Sequence, residues 1–212
     1  MIDTSLLKCW IVGGTNGSGK SSIYQNSREL QGSGEFVNAD LVARGISPGR
    51  PESVSRLAGR RVIERLDRLI SDRRNFVYET TLSSHQSLDL LSIARNSGYR
   101  VGLMFVVLTS VGLNVRRVHE RVSRGGHSIP DDVIRRRYAR GFANLPKAIR
   151  IAHETVVFEN SGSVPVKLIS LIDGKIVQNA LDETTISHIE VAEAVGDALE
   201  ISLQSVLKAA SP

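Results

Sequence analysis

The chain has a single cysteine, Cys9, so it forms no disulfide within itself, and a reducing compartment, the cytoplasm, is expected. Cys9 itself reads as a buried strand residue. No stretch approaches the ~20 consecutive apolar residues of a membrane-spanning helix. The polar start Met1-Ile2-Asp3-Thr4-Ser5 does not read as a secretory signal. Aromatic residues are only 5% of the chain, and no base-stacking platform or RNA-binding motif is visible. That scarcity weighs against nucleic acid, although the net charge of +5 would allow such a partner. Arginine far outnumbers lysine and is spread over several helical stretches; its planar fork of donors serves phosphorylated small molecules. His119 and His127 have no companions at metal-ligand spacing, so no zinc site is expected. What is plentiful is ordinary. With 212 residues, 41% apolar and 23% charged, the chain suits one soluble domain able to bury a real core.

The organising stretch is Gly14-Thr15-Asn16-Gly17-Ser18-Gly19-Lys20-Ser21, followed by Ser22. It follows the apolar run Trp10-Ile11-Val12 and leads into a helical segment, which is the strand–loop–helix setting that the G-x-x-x-x-G-K-[ST] pattern requires. The glycines allow main-chain N–H groups to crowd around phosphate oxygens, and the following helix points its positive end at the same anion. Lys20 reaches the β- and γ-phosphates, and the Ser21 hydroxyl is the expected ligand of Mg2+. ATP and Mg2+ are therefore the expected cofactors.

Strands alternate with helices along the chain. Strands are expected at residues 8–13, 35–37, 75–79, 100–108 and 155–158, with helices from Lys20 to about Leu30, after the turn-rich 45–51 where Val54, Leu57, Ala58, Leu66 and Leu69 recur near helical spacing, and over about 84–97. The apolar run at 100–108 suits a central strand covered on both faces. Val111, Val115, Val118 and Val122 mark one helix, Arg124-Gly125-Gly126-His127 interrupts it, and Pro130-Asp131-Asp132 starts another. Residues 166–172 and 175–177 read as a small hairpin around Asp173-Gly174, and a last amphipathic helix is expected over about 189–207. The pattern predicts an α/β fold of the P-loop NTPase kind. It has a mainly parallel sheet of about five strands, helices on both faces and the ligand at the carboxyl ends of the strands. One kinase domain over 1–212 is expected, with a helical lid over roughly 119–141 and the hairpin and helix of 164–210 packed on the core.

Residues just past strand ends are the candidates for chemistry. Asp40, after the second strand, could accept a hydroxyl proton and orient the oxygen for in-line attack, or could merely cap a helix. Glu79 and Thr80, after the third, could hydrogen-bond a polar substrate, or could be strand residues by propensity. His119-Glu120-Arg121-Val122-Ser123-Arg124 and Arg135-Arg136-Arg137 flank the Gly-Gly break. Arginines on a closing lid would neutralise a transferring phosphoryl group. Arg121 and Arg124 are the choices for catalysis, with the other arginines left at the surface. The fourth strand does not end in the acidic residue often used for magnesium. No GTPase-type Asp-x-x-Gly or Asn-Lys-x-Asp pair is present, and no transporter-ATPase signature follows the loop.

Several blocks carry a family resemblance. These are Phe36-Val37-Asn38-Ala39-Asp40, Ser47-Pro48 with Pro51-Glu52-Ser53, and Glu79-Thr80-Thr81-Leu82-Ser83. Further along come Glu120-Arg121-Val122, Arg124-Gly125-Gly126-His127, Ile134-Arg135-Arg136-Arg137-Tyr138 and Glu159-Asn160-Ser161-Gly162. In this order the chain resembles the zeta-toxin family of P-loop kinases over about residues 8–162, as a small member with a Gly-Gly-His lid. The resemblance implies ATP-dependent phosphorylation of a sugar hydroxyl on UDP-N-acetylglucosamine. It makes Asp40 the general base, gives Glu79 and Thr80 to the sugar nucleotide, and sets Arg121 and Arg124 on the phosphates. Arg44 joins the substrate residues and Asn160 the nucleotide residues, and a protein antitoxin becomes a candidate partner. The expected function is a small-molecule kinase acting on a nucleotide sugar or related phosphorylated metabolite. A regulatory P-loop ATPase working through protein partners and a polynucleotide-end kinase are the alternatives.

Overall fold

The expected alternation is realised in a computed structural model that describes residues 6–209. The polar start at positions 1–5, and position 210 at the end of the expected C-terminal piece, lie outside the described residues. At the centre is β1 (Lys8–Gly13), whose side chains alternate between two cores. Cys9 and Ile11 enter the larger one, while Trp10 and Val12 enter a smaller one on the opposite face. That period of two, apolar on both sides, is what a doubly covered parallel strand needs. Burial pushes the Cys9 thiol up to about 12, so it stays protonated and inert at neutral pH. Beside β1 runs the long apolar stretch, β4 (Arg100–Val107), where Gly102 leaves room for the Trp10 indole. A Cβ there would meet the ring at 2.5 Å.

On the other side of β1 lies β3 (Phe76–Glu79), and beyond it β2 (Glu35–Asn38). β5 (Glu154–Glu159) pairs in parallel with the far side of β4. The hairpin β6 (Val166–Ile172) and β7 (Lys175–Asn179) then continues the same sheet in antiparallel register. Among the described residues the sheet thus has seven strands, in the order β2-β3-β1-β4-β5-β6-β7, rather than about five. The sequence shows the hairpin, but only the pairing of Val166 with Glu159 and Leu171 with Thr155 makes it an extension of the sheet.

The larger core is closed by α4 (Ser55–Ser71), α5 (His85–Asn96), α7 (Asp131–Ile151) and α8 (Ile186–Leu199). They contribute Leu66, Leu91, Leu145 and Val191, all at or below 1% exposure. Each such side chain stabilises the fold by about 1.5–3 kcal/mol relative to exposure. The helix expected from Lys20 to about Leu30 is broken at Ser27 into α1 (Lys20–Asn26) and α2 (Arg28–Gln31). The Ser27 hydroxyl accepts from Leu30 N at 3.3 Å, restarting the helix instead of continuing it. The last helix is likewise split into α8 and α9 (Leu203–Leu207). Glu200 takes a left-handed backbone (φ 58°) there, and the chain turns over Gly196.

One helix had no sequence expectation. α3 (Ala39–Ile46) starts directly after β2, because the Asn38 side chain accepts from the backbone N–H of Asp40 (2.6 Å) and Leu41 (3.1 Å). Across the cavity mouth from α3, α6 (Val111–Ser123) meets α7 through a small core of Val115, Val118, Ile129 and Ile134.

Candidate active site

The phosphate loop is held by its carbonyls. Thr15 O accepts from the Lys20 ammonium at 3.2 Å, Asn16 O from Asn114 Nδ2 at 3.0 Å, and Ser18 O from Asn160 Nδ2 at 2.8 Å. Asn114 stands on α6, which follows β4, and Asn160 follows β5, so two successive strand-end segments grip the loop. With these carbonyls bonded outward, the loop can turn N–H groups inward for an anion. Two glycines permit the grip. Gly17 (φ 83°) lies against Asn114 O, and Gly19 (φ 89°) lies so near Asn160 that a Cβ would meet Nδ2 at 2.2 Å. Arg117 on α6 locks Asn160 in turn, donating to Asn160 O (2.7 Å) and Ser161 O (3.1 Å).

Two adjoining cavities open over this loop at the carboxyl ends of the strands, sharing Asn16, Lys20, Asp40, Glu79 and Arg121. One, of about 400 Å³, is the phosphate-loop side and includes Ser21 and Ser22. The other, of about 340 Å³, has a wall of hydroxyls from Tyr78, Thr80, Thr81, Ser83 and Ser84. An outer groove of about 860 Å³ continues from it past Arg44 and the glycine break. Lys20 is 7% exposed; burial lowers its pKa, and Glu79 and Asp40 nearby oppose that effect.

Asp40 lies in the first turn of α3 with its side chain open to both cavities, and the capping role belongs to its neighbour Asn38. Glu79 accepts from the Ser21 hydroxyl at 2.7 Å. The sequence looked for an acidic residue after the fourth strand; in the sheet, β3 is the other neighbour of β1, and its last residue stands beside the phosphate loop. Serine hydroxyl and carboxylate form the kind of two-oxygen protein contribution that Mg2+ accepts, the rest coming from phosphates and water. Among the described residues no group of three His, Cys, Asp or Glu forms a metal cage.

Thr80 donates or accepts with Ser87 Oγ at 3.0 Å, and its hydroxyl also accepts from Leu82 N. Leu82 is fully buried with φ 56°, and Asn144 on α7 donates to its carbonyl at 2.8 Å. Arg121 on α6 reaches the cavities and donates to His127 O at 3.0 Å, while its buried Nε has no protein partner. Gly126 packs on Arg121, where a Cβ would meet Cγ at 2.6 Å. Ser18 Oγ in the loop is similarly buried and unpartnered, as expected where a polar ligand belongs.

Arg124 is not part of this gathering. It caps the end of α6, exposed, and lines only the outer groove. The arginine that sequence reasoning left at the surface, Arg137, is the one that enters. It donates to Asn16 Oδ1 at 2.9 Å and lines the hydroxyl-walled cavity, and burial lowers its pKa. Arg135 and Arg136 are exposed on the other side of the same helix turn. A one-turn arginine run carries no local sign of which member faces inward. The helical spacing of Ile134 and Tyr138 on the inner side was the only available clue. His127 Nδ1 approaches Glu52 Oε2 at 3.5 Å across the cavity mouth, so the glycine break touches the segment after α3.

Comparison with known proteins bears on the family and the fold. The zeta toxin family model matches residues 7–167. The chain belongs to the zeta-toxin family. As a zeta-toxin homologue it is an ATP-dependent kinase. A Haemophilus influenzae (strain Rd) protein described only as uncharacterized is 32% identical over 126 residues, spanning 59% of this chain and 88% of that protein. Among solved structures, the AvrRxo1-ORF1:AvrRxo1-ORF2 complex with sulphate ions aligns with a TM-score of 0.64 at 17% identity. The alignment covers 99% of this chain and 81% of that one. The PezAT chromosomal toxin-antitoxin system of Streptococcus pneumoniae aligns with a TM-score of 0.60 at 16% identity, covering 97% and 89%. At these identities the structural likeness speaks for the zeta-toxin fold alone.

Proposed function

We propose that this zeta-toxin homologue phosphorylates a hydroxyl of a nucleotide sugar, UDP-N-acetylglucosamine-like, or of a related phosphorylated metabolite. The observation that carries the reading is the Asp40 carboxylate, free of any capping duty and facing the same space as Lys20 and the hydroxyl wall. The acceptor O–H lies against Asp40, its oxygen attacks the γ-phosphorus, and the bond to the β,γ-bridging oxygen breaks. The proton passes to Asp40 and ADP leaves with the bridging electrons. Lys20 and the loop N–H groups hold the β- and γ-phosphates. Arg121 and Arg137 stabilise the transferring group from the lid side, with Arg124 reserved for the outer groove. Ser21 and Glu79 would hold Mg2+, which neutralises the phosphate charge when bound.

The hydroxyl wall formed by Tyr78, Thr80, Thr81, Ser83 and Ser84 suits a polyhydroxylated acceptor. Its cavity of about 340 Å³ accommodates a sugar, and the groove past Arg44 would take an attached diphosphate. One kinase domain works with a lid over roughly 119–141, and the contact of His127 with Glu52 supports closure over the mouth. Toxin relatives solved with protein partners make an antitoxin a natural candidate here too, in the cytoplasm. The test is an ATP-consumption screen against nucleotide sugars, sugars and oligonucleotides, with Asp40→Asn beside the wild type. Transfer should fall by ~10²–10⁴-fold in kcat, the usual loss of a general base, with ATP affinity kept. Unchanged kcat in a folded variant would remove Asp40 and favour a regulatory ATPase.

A further inference from the structure

Helix α8 lines none of the three cavities over the site, yet it is bonded to the residue before Asn160 and the residue after Arg137, two side chains that grip the phosphate loop from outside α6. Asn160, which holds Ser18 O, follows Glu159, and Glu159 Oε2 is 2.9 Å from His188 Nε2. Arg137, which holds the Asn16 side chain, precedes Tyr138, and the Tyr138 hydroxyl donates to Glu190 Oε2. His188 is 7% exposed. Its Nδ1 accepts from Asp182 N at 3.0 Å, so the ring proton belongs on Nε2 and is donated to Glu159. The turn that presents Asp182 N is itself fixed, because the Asp182 carboxylate accepts from Thr184 N at 2.9 Å and from the Thr184 and Thr185 hydroxyls. A chain of bonds therefore runs from that turn through His188 to Glu159, the residue immediately before Asn160.

We propose that His188 is a positioning residue for ATP binding, acting through Glu159 on Asn160 and so on the phosphate loop. The inference rests on the reading of that loop as the ATP site. Asn160 sits against Gly19 with no slack, so a small shift at Glu159 displaces the Ser18 carbonyl and the N–H groups behind it. Misplacement by ~1 Å from a remote residue can cost ~10²-fold in the rate of a positioned reaction.

Two substitutions separate positioning from mere packing. His188→Gln carries an N–H to the reach of Nε2 and can still donate to Glu159. His188→Asn keeps an acceptor where Nδ1 lies but falls short of Glu159. Titration calorimetry with Mg-ATP should give nearly wild-type affinity for His188→Gln and a loss of about tenfold for His188→Asn. Thermal melts of the two apo variants should be similar. Equal ATP affinity for the two would overturn the inference while leaving the ATP reading intact. A folded wild type that binds no Mg-ATP would overturn both. Should His188→Asn fail to fold, Glu159→Met removes the acceptor at the other end and should show the same tenfold loss; full affinity there also overturns it.

Discussion

The phosphate loop after β1 and the loop after β3 leave neighbouring parallel strands at the same edge of the sheet, and each needs a left-handed backbone. The first uses glycines, Gly17 at φ 83° and Gly19 at φ 89°, at no steric cost. The second uses Leu82 at φ 56°, a conformation that costs an L-residue about 1–2 kcal/mol. Local and tertiary contacts hold it together: the Thr80 hydroxyl two residues back accepts from its N–H, Leu82 is fully buried, and Asn144 on α7 donates to its carbonyl. A loop that must take any nucleoside triphosphate can be specified locally. The second loop is held largely by what packs behind it, and stores some strain in doing so.

The largest effect in this comparison should come from Lys20→Ala. Its ammonium is bonded to Thr15 O within the loop, at the point where the β- and γ-phosphates are expected. Transfer should be lost, and so should the stabilisation that bound ATP confers, about 2.7 kcal/mol at a ligand concentration of 100 times Kd. Melts with and without Mg-ATP measure it. A variant still stabilised by ATP and turning over normally would mean the loop is not the site.

Next in size is Gly19→Ala. The added methyl meets Asn160 Nδ2 and the backbone angle becomes unfavourable, so both the grip and the loop must shift. Stability should fall by about 1–3 kcal/mol, and ATP should bind at least about tenfold more weakly. Retained affinity would show that the outward grip of Asn160 is dispensable.

The two loops also differ in how far they could be read from sequence. Gly14 to Ser21 follows a strict spacing with a strand before and a helix after, so its fold and ligand follow from local chemistry. Asp40 was placed by the same logic, but α3 was missed because Asn38-Ala39-Asp40 looks like a strand end. Only the structure shows Asn38 capping a new helix. Glu79 was found as a strand-end residue, but its tie to Ser21 depends on β3 lying next to β1, which is a matter of strand order and not of sequence neighbours. That Arg137 lines the cavity while Arg135 and Arg136 stay exposed turns on the helical phase of α7, and Arg124 lies past the last turn of α6. The roles of His188 and Glu190 have no local signal at all, because their partners are 29 and 52 residues away.

The smallest effect tests the strain itself. Replacing Leu82 by Ala or by Gly removes the same buried side chain to within one methyl, and either should cost about 2–5 kcal/mol through lost burial and the cavity left behind. In ordinary helix or strand the alanine variant would be the more stable, since glycine has more unfolded-state entropy to lose. At φ 56° the order should reverse, because glycine adopts that angle freely while alanine keeps the penalty. Leu82→Gly should therefore unfold at higher denaturant than Leu82→Ala, by about 1 kcal/mol. The loss of wild-type stability is common to both, so their difference isolates the backbone contribution. Urea titrations of the two variants, compared at equal slope, read it directly. Should Leu82→Ala prove as stable as Leu82→Gly, the left-handed angle at position 82 would carry no penalty in this loop. Thr80 and Asn144 would then have no strain to hold.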